Sequence, residues 1–309
     1  MTEDVSCPIC NCNTVKIQGF YRGKHNIYAG MNRLECHNCG MVFAGPAPSN
    51  SELEQYNRDY FYQAHGGKPK GLASLAFFTG IAKLRYSYLQ NLLHKQGLAP
   101  LSVLEVGPGE GFFAREWLKK LPSTKYMALE SDSSCHPQLE ALGIQVIDES
   151  QQKEIFGTVD LIVMSHVLEH ISSPIGFLIN IVSNLRKGGI IFIEVPCRDY
   201  LYKPVDEPHL LFFDVKPLKI LLEKVGFEVI ASTYHGTPVN QSKIIKRVRD
   251  ILVRIRGKLI VNGFCFLFAP QKKEMIGLSA IERAILAPYQ AHCEAKNPAS
   301  WLRMVAVKQ

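Results

Sequence analysis

Four cysteines in two pairs have the spacing of a metal site. Cys7 and Cys10 form the first Cys-x-x-Cys pair, Cys36 and Cys39 form the second, and 25 residues separate them. Each pair brings two thiolates to one turn, and two such turns complete a tetrahedral shell of four sulfurs that suits zinc. Four protein ligands leave no open position, so we expect the ion to support folding rather than chemistry.

A glycine-rich turn is the second feature with chemical potential. Glu105 precedes three glycines at alternate positions, Gly107, Gly109 and Gly111. Glycines let the backbone turn tightly and approach a ligand, and the helix that follows offers free N–H groups. A dinucleotide fingerprint would require its third glycine at position 112, where this chain has Phe112. Pyrophosphate cofactors therefore fit this turn poorly.

An acid followed by Gly-x-Gly-x-Gly at the end of a first strand resembles the first motif of the class I S-adenosylmethionine-dependent methyltransferases. The resemblance implies S-adenosylmethionine as cofactor, bound at the ends of successive strands. The residues that we assign to this contact are Glu105, Gly107, Pro108, Gly109, Gly111, Phe112, Glu130, Ser131, Asp148, Ser165 and His166.

Two acids of that set follow the next strands. Glu130 lies 25 residues after Glu105, about one strand-helix-strand unit, where a carboxylate can accept both ribose hydroxyls; a solvated surface acid is the alternative. Asp148 matches the position where the family often contacts the adenine amino group. A loop-capping aspartate explains Asp148 equally well.

The run from Asp160 to Ile171 contains Val-Leu-Glu-His and resembles the small-molecule branch of these methyltransferases. The resemblance implies that Ser165 and His166 lie against the methionine part of the cofactor, and that Glu169 and His170 begin the next helix. The family's Asp/Asn-Pro-Pro-Tyr/Phe tetrapeptide is absent, which disfavours methylation of amino groups in DNA.

Two histidines are candidate catalytic bases. Methyl transfer needs a base only if the acceptor is a hydroxyl or a carbon acid, and histidine titrates near working pH. His209 is the first candidate and His170 the second; each could instead be a structural, hydrogen-bonded histidine. In the family a similar Glu-His run follows the fifth strand, whereas here Pro208 separates Glu207 from the histidine, so an acid-histidine pairing stays open.

Alternating strands and helices must position these residues. Short apolar runs alternate with amphipathic helical stretches after position 100, which predicts an α/β fold with a doubly wound, seven-stranded Rossmann-like sheet. We expect a zinc ribbon over 1–48, a helical cover over 49–99, the methyltransferase core over 100–234 and 300–309, and an insertion over 235–299. The predicted strands cover residues 103–106, 126–129, 145–147, 161–164, 190–195, 227–233 and 304–307.

Charge is concentrated in one segment. The 309 residues carry a net charge of +7, and seven cations against one acid within 243–258 account for six of those charges. Apolar residues alternate with these cations, so we expect an amphipathic basic helix. It could be a solvated face, a binding site for a phosphate-bearing substrate, a peripheral contact with an anionic membrane, or an RNA contact.

Cellular location and cysteine chemistry also have sequence signals. The longest apolar stretch, about 12 residues, is short of a bilayer span, and no secretory signal begins the chain, so we expect a cytoplasmic protein. Nine cysteines in that compartment are ligands or thiols rather than disulfides.

A ribbon followed by such a core is similar to two groups, rRNA base methyltransferases with an N-terminal finger and methyltransferases of sugar and natural-product pathways. The join from Leu34 to Phe43, followed by Pro46 and a helical stretch with Tyr56, Tyr60 and Phe61, resembles the second group more. The expected function is therefore methylation of a small molecule, a sugar or a glycoconjugate or lipopolysaccharide precursor. An rRNA base methyltransferase that binds RNA through its ribbon is one alternative, and a non-catalytic cofactor-binding scaffold is another. The acceptor atom and the oligomeric state stay open.

Overall fold

The N-terminal part of the chain forms a small antiparallel sheet. The computed structural model describes residues 5–60, 67, 72–148, 151–239, 244, 247–248, 251, 255 and 294–309. Strands β1 (Val15–Phe20), β2 (Asn32–Cys36) and β3 (Val42–Gly45) pair in sequence order. The two predicted cysteine turns lie at one end of these strands, because Cys36 closes β2.

Two helices follow the ribbon, as the apolar spacing predicts. Helix α1 (Asn50–Arg58) starts at a capping box in which Ser49 and Glu52 satisfy each other's backbone N–H groups. Helix α2 (Leu72–Lys95) buries Leu89 and Leu93 against the core. Among the described residues, no helix combines the length and hydropathy needed to cross a membrane.

The core alternates strands and helices. Its helices are α3 (Phe112–Lys120), α4 (His136–Ala141), α5 (Pro174–Val182) and α6 (Val215–Lys224). Its strands are β4 (Ser102–Val106), β5 (Lys125–Leu129), β6 (Gln145–Val146), β7 (Val159–Ser165), β8 (Leu185–Pro196), β9 (Leu211–Phe212), β10 (Phe227–Pro238), β11 (Glu294–Ala295) and β12 (Ala299–Lys308).

The central sheet has the strand order β11-β10-β12-β8-β7-β4-β5-β6. Strands β4 to β8 are parallel, and β12 lies antiparallel between β8 and β10. The described sheet thus has eight strands where seven were predicted. The extra strand is the two-residue β11, which pairs with Tyr234 and His235. Strand β10 also continues to Pro238, within the predicted insertion.

Most of the predicted insertion lies outside the described residues. Five of its positions, 244, 247, 248, 251 and 255, are described as helical and exposed. The basic helix predicted over 243–258 therefore stays a prediction.

Helices cover both faces of the sheet, so its central strands are buried on both sides. Leu104 and Ile162 belong to one core cluster, whereas Val103 and Leu161 belong to the other. This follows from the alternation of side chains along a strand, and it explains why these strands read as continuous apolar runs. The carboxyl ends of β4, β5, β7 and β8 meet at one edge, where ligands of such sheets bind.

The loop between β8 and α6 ties the core to the ribbon. Strand β9 lies in this loop and pairs with β3, matching Val42 with Phe212 and Phe43 with Leu211. The ribbon sheet therefore has the order β1-β2-β3-β9. This pairing joins two parts of the chain that the sequence presents as separate units.

Candidate active site and metal centre

The glycine turn between β4 and α3 forms a cradle of tightly turned backbone. Gly107, Gly109 and Gly111 have φ angles of 67°, 55° and 70°, in the left-handed region that favours glycine. A Cβ atom at Gly107 would lie 2.7 Å from Cγ2 of Val167. The three glycine N–H groups are used within the protein: Gly107 donates to the Leu129 carbonyl, Gly109 to Glu130 and Gly111 to the Pro108 carbonyl. What the turn offers a ligand is therefore close approach to a backbone without side chains.

Glu105 lies inside the sheet, just before the turn. Its side chain is buried, and the Tyr126 hydroxyl donates a 2.7 Å hydrogen bond to Oε2. Burial raises the pKa of Glu105 to about 7. The residue links β4 to β5 and so holds the two strand ends that carry the candidate site.

Glu130 lies directly against the turn, where the sequence places it. Its Oε2 accepts a 2.8 Å hydrogen bond from the Gly109 N–H, and its Oε1 accepts one of 2.8 Å from the Asp132 N–H. Burial raises the pKa of Glu130 despite these two bonds. Each oxygen keeps a further lone pair, which can accept a ribose hydroxyl. Ser131 is exposed beside it.

Three other residues of the predicted cofactor set have structural contacts of their own. Pro108 is part of it, and Phe112 stacks on Phe78 with ring centroids 5.4 Å apart. Asp148 caps a 3-10 helix, because its Oδ1 accepts a 2.9 Å hydrogen bond from the Gln151 N–H. This cap is the structural alternative foreseen for Asp148, and its adenine contact stays a prediction.

Ser165 ends β7, and His166 follows it directly. His166 has a φ of 59°, and its Nδ1 lies 3.2 Å from Oε1 of Glu169 while its Nε2 lies 3.4 Å from Oε1 of Glu194. Burial lowers the pKa of His166, but the two carboxylates raise it more. The Ser165 hydroxyl is buried and has no hydrogen-bond partner among the described residues, which leaves it for a ligand.

A buried ion cluster that sequence reasoning missed lies next to His166. Glu194 on β8 accepts hydrogen bonds from Nε of Arg85 at 2.7 Å and Nε of Arg303 at 2.5 Å. Burial opposes ionisation, but the two guanidinium groups hold the Glu194 pKa well below its usual range. Because Arg85 lies on α2, the cluster fixes the helical cover to the site. The positions of charged residues in the sequence do not show which of them pair in the folded protein.

His170 differs from its predicted setting. Residues Leu168–His170 form a 3-10 turn, and α5 begins later, at Pro174, because proline suits a first helical turn. Nδ1 of His170 lies 3.4 Å from the carbonyl oxygen of Pro208. Burial lowers the pKa of His170 to about 4, so the imidazole is neutral near pH 7.

The acid that partners His209 is Asp199. Its Oδ2 lies 2.6 Å from Nδ1 of His209, and both side chains are buried. Burial raises the Asp199 pKa, but His209 and Lys203 lower it more, to about 2. The acid nearest in sequence, Glu207, instead accepts hydrogen bonds from the ribbon, including the His25 N–H at 3.0 Å. Asp199 precedes the histidine by ten residues, so spacing could not reveal it.

These groups form one continuous set. The rings of His170 and His209 meet edge to face with centroids 4.9 Å apart, and His170 Nε2 lies 3.8 Å from Oε1 of Glu169. Glu169 in turn contacts His166 at the end of β7. The Asp199–His209 pair, which we call the dyad, therefore lies next to the strand ends at which the predicted cofactor residues converge.

The four predicted metal ligands come together. Sγ atoms of Cys7 and Cys39 lie 3.5 Å apart, as do those of Cys10 and Cys36, and all four lie within 4.8 Å of one another. Sulfurs around a tetrahedral zinc ion, at Zn–S distances of about 2.3 Å, are about 3.8 Å apart. The donor set therefore fits a tetrahedral ion with soft ligands.

Comparisons with known proteins agree with this geometry. Residues 81–232 match the family model described as "Methyltransferase domain". The malonyl-[acyl-carrier protein] O-methyltransferase of Halalkalibacterium halodurans is 24% identical over 144 residues, which cover 43% of this chain. The match spans 52% of that relative, about half of its length.

Solved methyltransferase structures are similar at low identity. The plantazolicin methyltransferase BamL has a TM-score of 0.48 and 15% identity, with 83% of this chain and 97% of that chain covered. A SAM-dependent methyltransferase from Archaeoglobus fulgidus has a TM-score of 0.44 and 17% identity, with 81% and 98% covered. The family match, together with the glycine cradle and the carboxylate against it, identifies residues 81–232 as a class I S-adenosylmethionine-dependent methyltransferase domain.

Proposed function

We propose that this chain transfers a methyl group from S-adenosylmethionine to a hydroxyl of a small molecule, a sugar or a glycoconjugate or lipopolysaccharide precursor. The Asp199–His209 pair carries the proposal. The Asp199 carboxylate accepts a hydrogen bond from the Nδ1–H of His209, a tautomer that leaves the lone pair on Nε2. A base of this kind is useful for a hydroxyl acceptor, whose oxygen must lose a proton as it attacks.

The chain's residues would divide the work as follows. Glu130 and the glycine turn would hold the cofactor, and Ser165 and His166 would border its methionine end. His209 Nε2 would take the proton of the acceptor hydroxyl, and Asp199 would stabilise the resulting imidazolium. Bound S-adenosylmethionine supplies an electrophilic methyl carbon on a sulfonium. Orientation and exclusion of water account for most of the remaining rate.

Charge at the dyad favours a neutral acceptor over an anionic one. Glu169 and Asp199 are both buried beside His209, and neighbouring histidines lower the pKa of each carboxyl. Lys203 Nζ lies 3.0 Å from Asp199, so Glu169 is the anion without a lysine or arginine partner among the described residues. A malonyl acceptor, as named for the Halalkalibacterium relative, would bring a carboxylate to these anions. Like charges in a buried site repel strongly. A hydroxyl can instead donate its proton there.

Other parts of the chain would serve this activity. We place a structural zinc ion on Cys7, Cys10, Cys36 and Cys39. The basic segment 243–258 would bind a phosphate group of the acceptor or hold the protein at an anionic membrane surface. The proposed setting is the cytoplasm.

Transfer of labelled methyl groups tests the proposal directly. Purified protein would be incubated with labelled S-adenosylmethionine and separate pools of nucleotide sugars, lipid-linked sugars and RNA. We expect label in a sugar-containing pool, and at least about 100-fold less with His209→Gln, the scale of a lost general base. His94→Gln, an exposed histidine on α2, is the matched control. Cofactor binding without transfer to any pool would favour a scaffold.

The RNA alternative has its own signature. Binding of RNA weakens with salt, with log K falling by about 0.7–0.9 for each neutralised phosphate, whereas a diphosphate-linked sugar gives a shallow slope. The variant with Arg247, Arg249, Arg254 and Arg256 replaced by serine should keep its cofactor affinity. Tight RNA binding by the wild type, with a slope of several units lost in this variant, would replace the sugar proposal.

A further inference from the structure

A second group of metal-ligand side chains lies beside the dyad. Glu169, His170 and His209 each offer one ligand atom, and these atoms lie within 4.8 Å of one another. Two imidazoles and a carboxylate are ligands that Zn²⁺ and Co²⁺ accept in sites with an open position. The group is distinct from the four cysteines of the ribbon.

Both imidazoles are oriented as metal ligands usually are. Nδ1 of His209 is bonded to Asp199, and Nδ1 of His170 faces the Pro208 carbonyl, so both Nε2 atoms are left as lone-pair donors. A carboxylate or carbonyl on the far nitrogen fixes the tautomer and the ring orientation of histidine ligands. A general base needs only one such histidine, and here there are two.

The surroundings of Glu169 support a metal site independently of the histidine orientations. It is fully buried, its Oε1 lies 3.2 Å from Nδ1 of His166, and its Oε2 accepts no hydrogen bond from the described residues. His170 Nε2 also lacks a hydrogen-bond partner among the described residues. His166 therefore compensates Glu169 on one side only, and an unpaired oxygen of a buried carboxylate is costly unless a cation compensates it.

The distances permit an ion after small movements. Ligand atoms around a tetrahedral zinc ion, at bond lengths of about 2.1 Å, are about 3.4 Å apart. The 3.8 Å pair of His170 Nε2 and Glu169 Oε1 must close by a few tenths of an ångström. The widest pair must close by at most about 1.4 Å, within the reach of side-chain rotation.

We propose that Glu169, His170 and His209 bind one divalent transition-metal ion, with Asp199 orienting His209. The ion would be exchangeable, because three protein ligands leave an open position. The lone pair of His209 Nε2 cannot hold an ion and accept a proton together, so a bound ion would block the base. That last consequence rests on the proposed methyl transfer, whereas metal binding does not.

Titration with Co²⁺ of the full chain, first dialysed until it holds one zinc ion per chain, tests the site without an acceptor. We expect one equivalent bound beyond the ribbon ion, with visible ligand-field absorption and no thiolate charge-transfer band. His209→Ala and Glu169→Gln should each weaken this binding more than tenfold, and Asp199→Asn by about 10- to 100-fold. His94→Ala should leave it unchanged.

Retained zinc stoichiometry and circular dichroism show that each variant is folded. Asp199→Asn adds a variant in which all three ligands remain, so a folding defect in one ligand variant does not decide the result. Binding of Co²⁺ only at the ribbon would overturn the proposal. So would an extra ion whose affinity is the same in His209→Ala and Glu169→Gln as in the wild type.

Discussion

Replacing Asp206 by alanine should destabilise the protein, because this carboxylate joins the ribbon to the loop that carries His209. The side chain is fully buried and accepts hydrogen bonds from the Arg22 N–H at 2.8 Å, Arg22 Nε at 3.1 Å and Arg33 Nη1 at 2.6 Å. Sequence places these residues more than 170 positions apart, so the contact depends on the folded state.

The magnitude follows from the exposure of the two arginines. Breaking a buried ion pair from one side costs about 3–5 kcal/mol. The Arg33 side chain is 14% exposed and loses its partner in a mostly dry place, whereas Arg22 is 37% exposed and regains water. We therefore expect the lower end, about 3 kcal/mol, which corresponds to a fall in thermal midpoint of roughly 6–12 °C.

Thermal unfolding of the zinc-loaded protein at pH 7 measures this change. Glu223→Ala is the matched control, since Glu223 forms an exposed i,i+4 pair with Lys219 and should cost no more than about 0.5 kcal/mol. Asp206→Ala and Arg33→Met, alone and combined, should be non-additive because they remove the same pair. A midpoint of Asp206→Ala within 2 °C of the wild type, on the order of the control, would refute the reasoning.

The same variant predicts a pH dependence. Burial would raise the Asp206 pKa, but Arg22 and Arg33 lower it more, so its folded pKa is below the unfolded value. The unfolded state then binds the proton more readily. The stabilisation is fully present above the unfolded pKa of about 3.9 and is lost as pH falls through the folded pKa. The difference in stability between wild type and Asp206→Ala should therefore shrink below about pH 4.

Three further predictions concern the cofactor site, the ribbon and the core. Glu130→Ala should weaken S-adenosylmethionine binding by about 1.5–3 kcal/mol, the scale of hydrogen bonds to a charged group; calorimetry should find the exposed Glu140→Ala unchanged, and equal affinity in both variants would remove Glu130 from the ribose role. Freshly purified protein should hold one zinc per chain, and Cys36→Ser should lose it; elemental analysis without zinc would contradict the ribbon assignment. Glu105→Gln should stabilise the cofactor-free protein at pH 8 but not near pH 4. Burial raises the pKa of Glu105 to about 7 in the folded protein, so this carboxyl ionises in the unfolded chain first, as pH rises from about 4.5. The gain in free energy of unfolding at pH 8 should approach 3 kcal/mol, about 1.4 kcal/mol for each pKa unit. Denaturant unfolding at both pH values measures it, and an equal effect at pH 4 and pH 8 would contradict the reasoning.

The sequence alone determines at which edge of the sheet the predicted cofactor residues meet, because its signals are local. The glycines of the turn and Glu130 each follow a buried apolar strand, and parallel strands end at one edge of a sheet. The order of strands and helices therefore brings them together, and the structure places the Glu130 carboxylate 2.8 Å from the Gly109 N–H. The paired Cys-x-x-Cys turns are local in the same sense, and their sulfurs also meet.

The surroundings of His209 depend on contacts between residues that no spacing rule connects. His209 pairs with Asp199 rather than with Glu207, since Glu207 is used by the ribbon. The short β9 joins β3 and so draws the His209 loop onto the ribbon. These hydrogen bonds and ion pairs form because folding brings complementary groups together in one buried place. The order of residues along the chain does not show which groups will meet there. The sequence therefore determines which strand ends carry the predicted cofactor residues, whereas tertiary structure decides which acid pairs with His209.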